Sequence, residues 1–310
     1  KSGILILSLI FLLYINFMFL KKVELSEKTE LRFLSYPSLI ILGLLTIFPI
    51  IFLFVLSFTS WSLLVPGSFE FSFVNYFDRM INDSNFIHSL KITFYYIIVN
   101  TFFQMILGFT IAFLLFRYTK LKFLRPIIII PMLVPPAVVG LMWKMMFIPN
   151  LGGIDYYLGL LGIPAIDWLS NPMTALIAVT IASVWEWTPF VIIVILAGLD
   201  SLPKSPIESA VIDGANTFHI IFYIIIPLLK PILLVVILLR IIESLAILPV
   251  VFMMTGGGPA LATEAINLYA YHVGLEYLDI GYASSILVAF IFILLFFTTP
   301  IILSSLKKNT

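Results

Sequence analysis

Residues 201–231 read SLPKSPIESAVIDGANTFHIIFYIIIPLLKP, and this stretch joins two long apolar runs of the chain. A connection that only joined two apolar segments would be polar and irregular. Here Ile207, Ala210 and Val211 instead follow helical spacing and form an apolar stripe. The pattern predicts a helical elbow, which we define as residues 201–227.

Both parts of the elbow show signals for where helices begin and end. Ser205 has the side chain of a helix N-cap, Pro206 suits the first helical position, and Glu208 completes a capping box. The pair Asp213-Gly214 predicts a break, and the run Phe218–Ile226 predicts a second helix that ends at the next proline. Such an elbow either docks against a partner protein or lies on the membrane surface. The elbow has few basic residues to attract anionic lipid, which favours a partner protein.

The composition of the whole chain requires a membrane. Among 310 residues, 62% are hydrophobic and 11% are charged, against about 25% charged in a soluble domain. A soluble core of this size has no room for so much apolar surface, which excludes a soluble globular enzyme. The net charge of +1 provides no field that would attract nucleic acid, and the absence of cysteine excludes disulfides, thiolate metal sites and cysteine nucleophiles.

Seven segments have the length and composition of membrane-spanning helices. They are Ile4–Leu20, Leu34–Phe58, Ile92–Leu115, Pro126–Phe147, Met173–Ala197, Leu228–Leu248 and Tyr282–Leu306. The first is followed by Lys21 and Lys22 without a small-residue cleavage site, so it is either a span or an uncleaved signal-like segment. The loops are too short for a separate soluble domain, and no internal repeat divides the chain.

Basic residues predict the orientation of these spans, because short loops rich in Lys and Arg stay in the cytoplasm. One side of the membrane carries Lys21, Lys22, Lys28, Arg32, Arg117, Lys120, Lys122, Arg125, Lys204, Lys230, Lys307 and Lys308. The loops on the other side carry Arg79 and Lys91. The last six spans therefore form a core with both ends in the cytoplasm.

The fourth span, Pro126–Phe147, contains Pro131, Pro135, Pro136 and Gly140. Proline removes a backbone donor and kinks a helix. We expect one kinked helix here, and the kink is either static or part of a bundle that moves.

Charged residues inside membrane spans are costly and are usually functional or paired. Lys144 lies near a helix end and can extend its amine to water. Two other sets lie deep in the membrane, and each follows helical i, i+3, i+4, i+7 spacing on one face. They are Ser183, Glu186, Trp187 and Phe190 on one span and Arg240, Glu243, Ser244 and Ile247 on the next.

These two faces have the chemistry that a sugar site needs. Sugar hydroxyls bind carboxylate and guanidinium groups, and the C–H faces of a sugar stack on an aromatic ring. Glu186, Arg240 and Glu243 provide the charged groups, and Trp187 provides the ring. An ion pair from Arg240 to either glutamate, which would only fix helix packing, is the alternative.

The remaining motifs carry no catalytic chemistry. The stretch MTGGGPA at 254–260 lacks the G-K-[ST] ending of a phosphate-binding loop and falls on the outer side. His88, His219 and His272 do not have metal-ligand spacing, and no Ser-His-Asp set falls on one side of the membrane. We expect no enzyme activity and no metal site in this chain.

The elbow resembles the EAA motif of ABC importer permeases, which reads E-A-A, three residues, G, nine residues and I-x-L-P. The matching residues are Glu208, Ser209, Ala210, Gly214, Ile224 and Pro227, and the departures are Ser209 and Ile226. The resemblance extends from about Arg32 to Leu306, through NTFFQMILGFTIAFLL at 100–115, LRPIIIIPMLVPPAVVGLMWK at 124–144 and MTGGGPA. The chain is similar to carbohydrate-uptake permeases of the maltose-permease first-subunit type.

This resemblance implies an all-α polytopic membrane protein, with an extra N-terminal helix and linker at 1–31 and a six-helix ABC type I importer permease core at 32–310. It implies that the elbow couples to a cytoplasmic ATPase through Glu208, Ser209, Ala210, Asp213, Gly214, Ile224 and Pro227. It also implies a second permease subunit, two ATPase subunits that bind ATP and Mg²⁺, an extracellular solute-binding protein and a place in the cytoplasmic membrane. The chain itself would hold no cofactor.

By position from the motif, the eight deep residues correspond to those that line the sugar cavity in maltose-type permeases, although the residue types differ. Contact with the second permease is another interpretation of them. The resemblance implies import of a di- or oligosaccharide, with ATP hydrolysed by a partner. The alternatives are a glycerol-phosphate-type or amino-sugar cargo, or a secondary transporter or intramembrane enzyme that uses Glu186 and Glu243 as proton carriers. Two glutamates favour a neutral sugar, and the absence of two inverted halves argues against the secondary transporter.

Overall fold

The computed structural model describes residues 27–71 and 75–306, which are largely α-helical. Within these residues the β pairing is limited to an isolated bridge between Thr59 and Phe71. The helices are α1 Glu27–Leu56, α2 Asn75–Asn82, α3 Ser84–Arg117, α4 Arg125–Leu133, α5 Pro136–Met146, α6 Gly153–Leu160, α7 Pro172–Asp200, α8 Lys204–Ile212, α9 Thr217–Ile220, α10 Ile226–Glu243, α11 Leu248–Met254, α12 Ile266–Tyr271 and α13 Ile280–Leu306. Two 3₁₀ turns, Thr119–Leu124 and Ser244–Ile247, and two π turns, Ile221–Ile225 and His272–Glu276, connect or extend them.

Long helices cover five of the seven predicted membrane spans. Four helical segments are apolar over a length that crosses a bilayer, namely Ser35–Leu56, Ser84–Arg117, Pro172–Asp200 and the continuous run Thr217–Met254. α13 contains the last predicted span and is apolar over Ile280–Phe296. The predicted span Ile4–Leu20 lies outside the described residues.

The chain divides into two compact units, the first ending at Leu53 and the second beginning at Phe54. In the first unit, α1 has Pro37 and Pro49 in its interior. Leu45 of this helix is 71% exposed, as expected for a side chain that faces lipid. The second unit contains every predicted site residue.

The predicted fourth span is broken rather than kinked. α4 and α5 are separate helices, bent by 97° at Val134 and Pro135. A residue that precedes proline is pushed out of the helical region, and the two break residues have extended ψ angles of 129° and 137°. The prediction of one helix over Pro126–Phe147 is therefore wrong, because two successive prolines each restrict the residue before them.

The second helical run of the elbow continues further than predicted. We expected it to end at Pro227, but the π turn leads directly into α10, and Pro227 lies in the first turn of that helix. The N–H of Ile226 donates to the carbonyl of Ile221, five residues back. This wider turn replaces the four-residue bonds that a proline ring disrupts, so the helix continues through Pro227.

Two apolar clusters in the second unit are separated by a polar layer. Tyr96 of α3 and Ala182 of α7 belong to the cluster on the predicted extracellular side. Leu115 of α3 and Ile195 of α7 belong to the cluster on the predicted cytoplasmic side. Buried polar side chains lie between the clusters along these helices and α10, and they are Asn100, Gln104, Ser183, Glu186, Arg240 and Ser244.

Gly108 allows α3 and α7 to approach closely. A Cβ atom at this position would lie 2.7 Å from the Cβ of Val191 on α7. Side-chain carbons do not come this close, so a larger residue would push the two helices apart. The contact keeps the polar side chains of α3 and α7 in the same layer.

Candidate functional site

Arg240 is the centre of the polar layer. Its side chain is 1% exposed, and Nη1 donates to Oε2 of Glu243 over 2.7 Å. Nε donates to Oε1 of Gln104 on α3 over 2.9 Å. The guanidinium carbon lies 5.0 Å above the ring of Trp187 on α7. Arg240 thus links α10 to α3 through a hydrogen bond and to α7 through a cation–π contact, while its ion pair lies within α10.

Arg240 forms its ion pair with Glu243 and leaves Glu186 partly unsatisfied. Of the two pairings that the sequence left open, the described residues contain the one at i, i+3 along α10. Oε2 of Glu186 is buried and has no hydrogen-bond partner among the described residues, and the same holds for Oδ1 of Asn100. A buried acceptor without a donor is costly. Both atoms therefore mark places where a hydroxyl group of a ligand or a water molecule would bind.

Seven of the eight deep residues singled out in the sequence line one cleft. They are Ser183, Glu186, Trp187, Arg240, Glu243, Ser244 and Ile247. Ala246 and Val250 complete the wall. The cleft has a volume of about 10 Å³, which holds one water molecule at most and is far too small for a sugar ring. The cleft is closed in this conformation.

The structure places Phe190, the eighth residue, outside the cleft. It packs on the apolar cluster of the predicted cytoplasmic half, to which Val236 of α10 also belongs. Phe190 lies about one helical turn closer to the cytoplasmic end of α7 than Trp187 does. At that depth α10 offers apolar side chains, so helical spacing alone placed Phe190 with the wrong neighbours.

Asn100 and Gln104 of α3 also belong to the polar layer, although they are not among the eight residues predicted from helical spacing. Both are 0% exposed. Nδ2 of Asn100 donates to Oγ of Ser183 over 3.0 Å, and Nε2 of Gln104 donates to the backbone carbonyl of Ser183 over 3.1 Å. Their signal in the sequence is the i, i+4 spacing of two amides within an apolar span.

A larger cavity of about 680 Å³ lies between α3, α7 and the broken pair α4 and α5. Its wall is apolar, with Phe103, Trp143 and Trp185 among the lining residues. The hydroxyls of Thr180 and Thr188 in this wall already donate to carbonyls of their own helix. This cavity therefore offers few groups for a polar ligand, and the small polar cleft is the candidate site.

The first helix of the elbow begins at Lys204. Pro203 occupies the N-cap position, and no side chain caps the helix. The predicted capping box of Ser205 and Glu208 is therefore wrong. Pro203 itself holds the extended backbone of a cap residue, with ψ at 131°, so the helix starts two residues earlier than predicted and Ser205 lies inside its first turn.

The predicted break at Asp213-Gly214 is confirmed. Gly214 has φ at +78°, a conformation that glycine adopts without strain. The N–H of Ala215 donates to the carbonyl of Ala210 over 2.9 Å, and the N–H of Gly214 donates to that of Val211 over 3.1 Å. These two bonds form a Schellman motif, which ends α8 and turns the chain.

The elbow divides its side chains between the bundle and the exterior. Ile207 and Ala210 pack on the apolar cluster of the cytoplasmic half. Outside, Ile212 is 85% exposed and Phe218 is 73% exposed. The other coupling residues taken from the motif are exposed, apart from half-buried Ile224, and they are Glu208, Ser209, Asp213, Gly214 and Pro227. Large exposed apolar residues on a connecting segment are typical of a surface that contacts another protein or the membrane.

A second buried carboxylate lies on the predicted extracellular side, after the glycine-rich stretch. Glu264 is 2% exposed and forms an ion pair or hydrogen bond with Nδ1 of His272. Burial raises the pKa of Glu264, while the hydrogen bond from His272 opposes the shift. The glycine-rich stretch itself forms a turn, with positive φ at Gly256 and Gly257.

The family of the chain follows from a match over most of its length. Residues 86–309 match the family model described as binding-protein-dependent transport system inner membrane component. The chain belongs to this family. It is therefore a multi-pass membrane subunit of a transport system that works with a binding protein.

Two curated relatives of this permease have specific cargo in their names. The trehalose/maltose transport system permease protein MalF of Thermococcus litoralis is 34% identical over 88% of this chain and 95% of its own length. The sn-glycerol-3-phosphate transport system permease protein UgpA of Rhizobium meliloti is 31% identical over 70% of this chain and 75% of its own length.

A solved structure shares the fold of this permease. It is a bacterial ABC transporter involved in the import of the acidic polysaccharide alginate, and one of its chains superposes with a TM-score of 0.78. The match covers 92% of this chain and 98% of that chain at 18% identity. The predicted all-α importer permease fold is confirmed.

Proposed function

We propose that this permease forms part of the pathway by which an ABC importer moves a di- or oligosaccharide across the cytoplasmic membrane. The observation that carries the proposal is the buried polar layer in an otherwise apolar bundle. Arg240 and Glu186 provide hydrogen-bonding groups, and Trp187 provides an aromatic face beside them. The relative named for trehalose and maltose supports this class of cargo.

The closed cleft supports transport by alternating access. A volume of about 10 Å³ cannot hold cargo, so the helices that surround it have to separate before a sugar enters. The wall is shared between α7, α10 and the 3₁₀ turn Ser244–Ile247, where Ala246 departs from helical backbone angles. A relative movement of these elements would open the cleft to one side of the membrane at a time.

The elbow is the surface that we assign to a cytoplasmic ATPase. Its exposed Ile212 and Phe218 provide the apolar contact, and Glu208 lies exposed beside them. Two ATPase subunits would bind ATP and Mg²⁺, a second permease would complete the pathway, and an extracellular binding protein would deliver the cargo. This chain would contribute no catalytic residue to ATP hydrolysis.

An anionic cargo is the second candidate because the guanidinium of Arg240 lies in the cleft wall. The relative named for sn-glycerol-3-phosphate belongs to the same family. A proton-coupled secondary transporter is less well supported, because it would leave the exposed surface of the elbow without a partner.

The proposal is tested by purifying the chain from its native membrane in mild detergent and identifying the proteins that accompany it. We expect two copies of an ATPase, a second permease and ATP hydrolysis that rises when the binding protein and maltose, trehalose or a longer neutral oligosaccharide are added. Trp187→Ala should reduce this stimulation, and Trp187→Phe, which keeps an aromatic ring, should retain most of it. A chain that purifies alone and carries solute with a proton gradient would contradict the proposal.

A further inference from the structure

Gln104 lies at the point where α3, α7 and α10 meet, and it is 0% exposed. Both polar atoms of its amide form hydrogen bonds: Nε2 donates to the carbonyl of Ser183 over 3.1 Å, and Oε1 accepts from Nε of Arg240 over 2.9 Å. Gln104 does not itself line the cleft. It acts on the cleft through the two residues that it binds.

The bond from Gln104 holds Arg240 in a fixed position. Glu243 binds Nη1 of the same guanidinium over 2.7 Å, and one face of the guanidinium lies 5.0 Å from the ring of Trp187. A guanidinium binds an anion best when two of its N–H groups point together at the anion. Nε and Nη1 are both bonded to protein groups, so fewer N–H groups of Arg240 remain for an anion.

The fully buried atoms of the layer that have no hydrogen-bond partner among the described residues are both acceptors. Oε2 of Glu186 and Oδ1 of Asn100 are buried without hydrogen-bond partners among the described residues. Glu186 and Glu243 both line the cleft with Arg240, so two carboxylates accompany one guanidinium. Such a cleft attracts groups that donate hydrogen bonds, and it disfavours an anion because Glu243 already balances the charge of Arg240.

We propose that Gln104 is a positioning residue that gives the cleft its preference for uncharged cargo rich in hydroxyl groups over anionic cargo. This inference rests on the proposed function, because it requires that cargo passes through the cleft. Gln104 produces the preference by keeping Nε of Arg240 bonded, so that fewer N–H groups of the guanidinium are available to an anion.

The test compares uptake by proteoliposomes that contain the complete transporter and its binding protein. The probes are the neutral oligosaccharide that stimulates ATP hydrolysis most, with maltose tried first, and its aldonic acid, which differs by one carboxylate. The measured quantity is the ratio of kcat/KM for the acid to kcat/KM for the neutral sugar. Because the same binding protein serves every variant, its own selectivity cancels when the ratios of two variants are compared.

Gln104→Leu removes both hydrogen bonds and frees Nε of Arg240, and we expect it to raise the ratio about tenfold, the effect of one charge-assisted hydrogen bond. Gln104→Glu keeps an acceptor for Arg240 and adds a negative charge, so it should lower the ratio. Phe103→Leu is the matched control, since Phe103 neighbours Gln104 in sequence but is 46% exposed, and it should leave the ratio unchanged.

If Gln104 acted only through packing, the two substitutions would give a different result. Both substitutions would then change uptake of the two sugars by the same factor, and an unchanged ratio in active variants would overturn the inference. If the Gln104→Leu transporter does not assemble, the test rests on Gln104→Glu. A kcat/KM ratio for Gln104→Glu that equals or exceeds the ratio of the parent would overturn the inference. If no neutral sugar stimulates the parent transporter, the proposed function fails instead.

Discussion

The Nη1 atom of Arg240 lies 2.7 Å from Oε2 of Glu243, one turn further along the same helix. The side chain of Arg240 is 1% exposed, whereas that of Glu243 is 36% exposed, so the pair lies at the edge of the closed cleft. An ion pair in this position both stabilises the bundle and places charges where cargo would pass. Substitutions can separate its effect on stability from its effect on transport.

Arg240→Met should destabilise the membrane domain by about 3 kcal/mol, because it leaves Glu243 and Gln104 without their partner. The double variant Arg240→Met with Glu243→Met should regain most of this stability, since two apolar side chains replace the pair, but it should remain inactive in transport. Thermal unfolding of the detergent-purified complex measures the first effect and uptake measures the second. Equal stability of the single and double variants would show that an unpaired Glu243 does not destabilise the fold.

Gly214→Val should weaken coupling between ATP hydrolysis and transport. The backbone φ of +78° costs a β-branched residue about 1 to 2 kcal/mol, although no atom lies within 4 Å of a Cβ at this position. The Schellman motif that orients α8 would open as a result. Gly214→Asn, which tolerates this conformation better, should retain most of the coupling. The ratio of sugar transported to ATP hydrolysed is the measurement, and an unchanged ratio in the valine variant would refute the role of the turn.

Ile212→Asp should reduce the amount of ATPase that co-purifies with the permease without affecting its fold. Ile212 is 85% exposed, so a charge there leaves the bundle intact but opposes burial against a partner protein. Leu161→Asp is the control, since Leu161 is 75% exposed on the predicted extracellular side. Loss of ATPase from both variants, or from neither, would contradict the assignment of the elbow.

Asp83 should make stability depend on pH in the acid range. Burial opposes ionisation of this carboxylate, but hydrogen bonds from Tyr269, Tyr282 and the N–H groups of Phe86 and Asn85 together hold its pKa below the ordinary value of 3.8. Asp83 therefore contributes stability above about pH 3.8, and this contribution is lost as the pH falls through the lowered pKa.

Asp83→Asn should cost about 1 to 2 kcal/mol at neutral pH, because a charged cap and acceptor is replaced by a neutral one. The difference between parent and variant should shrink as the pH is lowered towards 3, which thermal unfolding over a pH series would show. A difference that stays constant across that series would mean that Asp83 acts through its shape and not its charge.

Much of the architecture follows from local properties of the sequence. Apolar runs such as Met173–Ala197 predict helices in a bilayer because their backbone groups have to bond within the segment. The turn at Gly214 is equally local, since it depends on one residue that adopts positive φ. The elbow motif, which predicted the family, is local as well, because its residues lie close together in the chain.

Contacts between helices required the tertiary structure. Helical spacing put Phe190 on the same face as Trp187, but only packing shows that its neighbours are apolar at that depth. The prolines at 135 and 136 indicated a distortion, but the bend of 97° depends on how the two halves pack. The choice of Arg240 between two glutamates was open for the same reason.

The sequence by itself thus determined that this protein is a helical membrane permease with a structured elbow, because transfer into lipid and the backbone bonds of a turn depend on residues close in the chain. Only the tertiary structure decided which polar side chains share the central layer. Gln104 and Arg240 are 136 positions apart, and their hydrogen bond exists because the rotation and depth of α3 and α10 bring the two side chains together. Those quantities arise from the packing of all the helices at once and from no single segment.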